Sequence, residues 1–203
     1  MMKRTAIAGL ALLGLLTALP AAAQDSPPPQ RIRGTIDAVD GSKLTVTARG
    51  GGTSTVTLAD DATVRLIAPA DIRDIKPGTY IGSAAMPQDD GSLRALEVQI
   101  FPESMRGVGE GQHPFDLKPG STMTNATAGD VTGTDGRVVT MTYQGVKTRL
   151  VVPPDVPVIT YEPGDRSMLT KGAHVIVMVV KAADGSMVSH GLQVGKDGLV
   201  PPT

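Results

Sequence analysis

Along most of the chain, apolar and polar residues alternate over short stretches, and turn residues close each stretch. Alternation with a period of two marks half-buried strands. Ile32, Gly34, Ile36 and Ala38 share one face of a first strand, while Leu44, Val46 and Ala48 alternate with Lys43, Thr45 and Thr47 in a second. Asp40-Gly41 lies between them and is a favoured hairpin dipeptide. A third strand runs over Thr53 to Leu58 and Thr63 to Ile67, interrupted at Asp60-Asp61. A short helix follows from Pro69, where the missing N–H costs nothing, and Pro77-Gly78 stops it. Thr79 to Ala85 and Leu93 to Ile100 complete five strands, with Asp89-Asp90-Gly91 as the turn between them. The same order returns as Thr127 to Gly133, Val138 to Tyr143, Val146 to Val152 with Pro157 to Tyr161, a helical turn after Pro163, Ala173 to Lys181, and Met187 to Val194.

The recurrence is a repeat. At a shift of 94, Asp61 meets Asp155, Pro69 meets Pro163, Gly78 meets Gly172 and Asp90-Gly91-Ser92 meets Asp184-Gly185-Ser186. Upstream the shift becomes 95, with Gly34 on Gly129, Asp40-Gly41 on Asp135-Gly136 and Thr45 on Thr140. Three strands, a short helix and two strands is the order of an OB-fold barrel, and mid-strand glycines at Gly34 and Gly129 suit the sharp bend of its first strand. Gly34-Thr35-Ile36 to Thr45-Val46, and Gly129-Asp130-Val131 to Thr140-Met141, resemble the G-x-V/I-x-x-x-D-G-x-x-x-T-V pattern of exported bacterial OB-fold-like domains of unknown function. The resemblance implies a barrel scaffold and carries no known active site. The expected fold is all-β: two tandem five-stranded OB-fold-like barrels, residues 31–101 and 125–196, each with one short helix between strands 3 and 4. Five-strand β-sandwich halves are the alternative. Residues 102–124 form a Gly/Pro-rich inter-barrel loop and residues 197–203 a tail.

Residues 1–23 read as a signal peptide. Lys3 and Arg4 precede an apolar run from Ile7 to Leu19, Pro20 ends it, and Ala21-Ala22-Ala23 supplies the small residues of a cleavage site before Gln24. The run is shorter than the roughly 20 residues a spanning helix requires. Residues 24–30 (QDSPPPQ) are a polar, proline-rich lead-in. The expected location is periplasmic or secreted, with no membrane span after cleavage: Val175 to Val180 is the longest aliphatic run that remains.

Composition narrows the functional classes. The 203 residues include no cysteine and no tryptophan, three tyrosines and two phenylalanines, with 19 basic residues against 20 acidic. A disulfide framework, a cysteine zinc site and a thiol nucleophile are thereby excluded. Nucleic acid is not an expected partner, because both the basic groove and the stacking aromatics are lacking. The strand at 173–181 is apolar on both faces. Its outer face calls for cover by the other barrel, by a second copy in a homodimer, or by an envelope protein.

Most side chains able to do chemistry lie in the unrepeated loop. Glu103, Glu110, His113 and Asp116 can ligate metal or move protons, Met105 and Met123 offer soft sulfur, Arg106 can pair with an anion, and Phe115 can plug a pocket. The same loop can also be a plain strap anchored by Phe115 and Leu117. No phosphate loop, serine elbow or multi-histidine spacing is present, and no motif requires a cofactor. His190 falls on a core face by alignment with Leu96 and is expected to be a buried, satisfied histidine or a barrel-mouth residue. Asn125-Ala126-Thr127 matches the glycosylation triplet. The reading is an exported, non-enzymatic binding or interaction module. Metal handling through Glu110, His113 and Asp116 is the alternative, and a hydrolase using the same loop ranks last.

Overall fold

A computed structural model describes residues 29–133 and 137–203. Residues 1–23, expected to be a signal peptide, most of the lead-in and the expected Asp135-Gly136 turn lie outside the described residues. Twelve strands are described: β1 (Gln30–Asp40), β2 (Lys43–Ala48), β3 (Thr53–Pro69), β4 (Tyr80–Pro87), β5 (Leu93–Ile100), β6 (Gly111–Pro114), β7 (Thr122–Thr132), β8 (Val138–Tyr143), β9 (Val146–Val151), β10 (Val158–Pro163), β11 (His174–Lys181) and β12 (Met187–Gly195). Where short helices were expected there are single 3-10 turns, Ile72–Asp74 and Arg166–Met168. The Asp71 carboxylate accepts from Arg73 N while Asp74 accepts from Asp71 N, which closes the first turn locally.

β11, β1, β2, β3 and β12 pair in that order, and β12 returns to β11, so the five strands form a closed barrel. Four of its pairings are antiparallel and β3–β12 is parallel. Ile36, Leu44, Val46, Val56, Val175 and Val177 fill its core. β5, β4, β7, β8 and β9 make a second ring, in which β5 and β9 meet in parallel over Leu93–Leu150 and Arg94–Val151. Ile81, Leu93, Val98, Val139, Met141 and Leu150 pack inside it.

Neither ring is built from one half of the chain. Strands one to three of the first half are completed by β11 and β12 of the second, and β7 to β9 are completed by β4 and β5 of the first. The expectation of self-contained barrels at 31–101 and 125–196 is corrected accordingly. The cause lies at the end of β3. Instead of turning back over its own ring, β3 runs on and pairs antiparallel with β10, with Ile67 opposite Tyr161, Leu66 opposite Glu162 and Ala68 opposite Thr160. Ile67 and Tyr161 are themselves equivalent at the shift of 94, so the pairing is centred on a local two-fold axis. The rest of the register obeys the same axis. Val56–Met187 is mirrored by Leu150–Leu93, and Val64–Leu192 by Val158–Val98.

The axis also corrects the alignment of the first strands. Ile36 stands opposite Val46 and Ala128 opposite Met141, so the shift is 92 before the hairpin turn and 95 after it. Three extra residues lie in the second hairpin, between Thr132 and Val138. The counterpart of Gly34 is therefore Ala126. A Cβ on Gly34 would lie 2.2 Å from the Thr47 carbonyl oxygen, a contact that no side chain survives, whereas a Cβ on Gly129 would sit 3.4 Å from Thr140 O. Gly34 is required by close backbone approach; Gly129 occupies a bulge.

β11 is covered on both faces within the chain. Val175, Val177 and Val179 point into the barrel core. On the other face Ile176 joins Ile67, Tyr80, Phe101, Ile159 and Tyr161 in a cluster between the rings. The exposed apolar face that motivated a homodimer or envelope partner through 173–181 is thus absent. No helix among the described residues is long and apolar enough to cross a membrane.

Candidate functional site: a cavity at the junction of the rings

The junction owes its polar character to a break in strand periodicity. Ala84 stands opposite Glu97 but Ala85 opposite Ala95, so Leu96 is bulged out of register. Leu93, Ala95 and Val98 consequently serve the ring core. Glu97 and Gln99 turn instead toward the junction. Glu97 is fully buried. Its Oε1 accepts from Gln99 Nε2 at 2.9 Å, and Gln99 Oε1 accepts from the Tyr161 hydroxyl at 2.7 Å. Glu97 Oε2 has no partner. Burial pushes the Glu97 carboxyl up to about 7, against the smaller opposing effects of the neighbouring Thr203 and Gln99 and the charges of Arg33 and Arg49. Burial, then the nearby Glu97 charge, raises the Tyr161 hydroxyl well above the usual tyrosine range.

Beside this chain of hydrogen bonds lies a cavity of about 260 Å3. Gln99 and Gln193, equivalent at the shift of 94, both line it, as do Tyr161, Asn125 and Thr203. Its apolar wall comes from Phe101, Ile176 and three methionines, Met105, Met123 and Met178. Phe101 stacks on Tyr161 with centroids 5.6 Å apart and meets Tyr80 at 5.4 Å. With Phe115, which also lines the cavity, four of the five aromatic residues are concentrated between the rings. Asn125 Nδ2 donates to Val108 O, yet its buried Oδ1 has no donor.

The two sides of the cavity are not alike. Arg31 pairs with Met178 across β1–β11, and the axis places Met123, paired with Ala84, at the equivalent position. Likewise Arg33, opposite Ile176, corresponds to Asn125, opposite Gly82. One flank therefore carries arginines where the other carries a thioether and an amide. Asp116 answers that charge. Arg33 donates to both of its oxygens, at 3.1 and 2.8 Å, and Arg31 stands 3.6 Å away. These interactions hold the Asp116 carboxyl below the usual aspartate range. Phe115 lies under the same guanidinium groups, 5.0 Å from Arg31 and 5.9 Å from Arg33.

The inter-ring segment is ordered and forms a wall of this cavity. It contains a 3-10 turn at Glu103–Met105 and the short strand β6, which pairs with β7. Val108 O accepts from the Tyr80 hydroxyl as well as from Asn125, which straps the segment across the junction. Of the residues singled out in the sequence, Met105 and Phe115 line the cavity and Asp116 balances its arginines. Glu103 and Arg106 pair with each other, and Arg106 donates to Gly78 O. That pairing lowers the Glu103 carboxyl and raises Arg106. Glu110 accepts from Gln144 N, and His113 is exposed on β6 opposite Met123. Glu110, His113 and Asp116 are not brought together, and no group of three or more His, Asp or Glu among the described residues is arranged to hold a metal ion.

Of the two positions expected for His190 the buried one is ruled out: it is exposed, the bulged residue of β12, and its Nδ1 lies 3.0 Å from Asp61. Asn125 sits in a strand paired on both sides, with Gly82 and Gly111, and its amide is engaged. The glycosylation triplet is framework. A broader groove of about 530 Å3 lies beside the 166–168 turn, lined by Leu66, Lys171, Gly172 and Lys196, but Lys196 is already committed to Glu162 at 2.8 Å. Sequence reasoning missed Glu97, Gln99, Gln193 and Arg31. The detectable signal was the adjacent apolar pair Ala95-Leu96 within β5, which departs from period two and marks a bulge. Comparison of the chain with protein-family models, with curated proteins and with solved structures yields no match.

Proposed function

We propose that the chain is an exported, non-enzymatic binding module, periplasmic or secreted, whose ligand site is the cavity between the rings. The observation that carries this reading is the cavity itself: both halves of the chain contribute to it, its walls are largely apolar, and a few polar groups converge on it. The unpartnered Asn125 Oδ1 supports it, since a buried acceptor without a donor is costly unless something fills the need. The rings are read as OB-fold-like barrels with exchanged fourth and fifth strands. The order fourth–first–second–third–fifth, with third parallel to fifth in each, supports that assignment.

The test uses a neutral apolar fluorophore, N-phenyl-1-naphthylamine. The full chain is expected to bind it, and Met178→Trp, which enlarges a cavity wall, is expected to abolish the signal while leaving a cooperative melt. Undiminished fluorescence in a folded Met178→Trp protein refutes the site.

A second reading, metal handling, draws support from Met105, Met123 and Met178 lining one cavity, because thioethers favour Cu(I). Titration with Cu(I) under reducing conditions decides it. Stoichiometric binding lost in Met123→Leu favours this reading, and absence of binding removes it.

A further inference from the structure

The cavity carries one cation that its surroundings do not saturate. Arg31 and Arg33 share the single carboxylate of Asp116, but not equally. Arg33 takes both oxygens in a fork, at 3.1 and 2.8 Å, whereas Arg31 approaches only one, at 3.6 Å, beyond hydrogen-bonding distance. A guanidinium has five N–H donors. That of Arg31 is held by stacking, 5.0 Å from the Phe115 centroid, which fixes its plane without using those donors. Its side chain remains about 36% exposed. The cavity it lines is walled by Met178, its cross-strand neighbour, and by Met105, Phe101 and Ile176, and the side-chain acceptors that share it, the amides of Gln99, Gln193 and Asn125 among them, are uncharged. The equivalent position on the other flank is Met123, so the charge is an addition to one side of the cavity.

We propose that the cavity binds small monocarboxylates with an apolar tail, the carboxylate on Arg31 and the tail among the methionines and Phe101. One uncommitted guanidinium matches one negative charge in fork geometry, and the walls favour hydrocarbon. The volume of about 260 Å3 limits the ligand to the size of a medium-chain fatty acid or an aryl-alkanoate. This inference rests on the cavity being the ligand site.

Calorimetry on the full chain at pH 7 compares octanoate and 3-phenylpropionate with octanamide and 3-phenylpropanamide. A charged hydrogen-bonded pair in place of a neutral one predicts that the acids bind at least about tenfold tighter than the amides. Arg31→Met, which copies the residue at the equivalent position 123, is expected to erase that difference while retaining N-phenyl-1-naphthylamine. Asp116→Asn, which removes the competing carboxylate, is expected to tighten binding of the acids. Equal affinity of acids and amides, or an acid preference that survives Arg31→Met, overturns the inference. If the neutral fluorophore binds and neither acid does, the carboxylate assignment fails alone. If none of them binds, the cavity reading fails with it.

Discussion

Glu97 gives the junction a measurable signature. The group is fully buried, with one carboxylate oxygen bonded to Gln99 and the other unpartnered. Burial raises its carboxyl from an ordinary 4.5 to about 7. The folded chain therefore holds a proton that the unfolded chain releases between those values. Stability contributed by the protonated form is fully present below about pH 4.5 and is lost as pH rises through about 7. A displacement of this size corresponds to about 3 kcal/mol at pH 8. Glu97→Gln keeps the shape and removes the titration, at a cost of about 1 kcal/mol for an amide hydrogen left without an acceptor. The variant is expected to be slightly less stable than wild type at pH 4.5 and about 2 kcal/mol more stable at pH 8. Urea unfolding of both proteins from pH 4 to 8 measures it. The difference between the two curves isolates Glu97 from Asp71, Asp90 and Asp116, whose lowered carboxyls act in the opposite direction. A difference that stays constant across this range refutes a buried, proton-holding Glu97.

Gly34→Ala forces a Cβ onto the Thr47 carbonyl oxygen and is expected to cost at least about 2 kcal/mol, whereas Gly129→Ala stays within about 1 kcal/mol of wild type. Equal costs in thermal melts would restore the alignment of one glycine on the other. A specific protease site placed in the turn at Lys118–Gly120 is expected to yield two fragments that co-elute in native buffer, because each ring takes strands from both sides of the cut. Fragments that separate without denaturant and unfold independently would contradict the strand exchange.

What the sequence made legible, and what it hid, follows from which interactions are local. Alternation located the strands because each strand shows one face to a core, and the Asp40-Gly41 turn made the first hairpin readable from neighbours alone. The pairing of Ile67 with Tyr161 joins residues that stand 94 apart, the spacing read from the sequence. The partner of each three-strand unit was not legible, for a physical reason. Both halves present strands with apolar faces in the same order, so alternation does not tell which of β4–β5 and β11–β12 closes which unit. The choice rests on the path of the chain after β3, where Leu66 to Ala68 find Thr160 to Glu162 instead of their own ring. That is a long-range pairing with no local signature. Within the loop, Glu110 is held by Gln144 N and His113 is exposed on β6. The groups that face the cavity come mainly from strand positions, Gln99, Gln193 and Arg31, that alternation alone would assign to solvent. Strand exchange is what turns those positions inward: it sets the outer faces of the two rings against each other, and polar residues that suit a solvated surface come to line a half-open cavity.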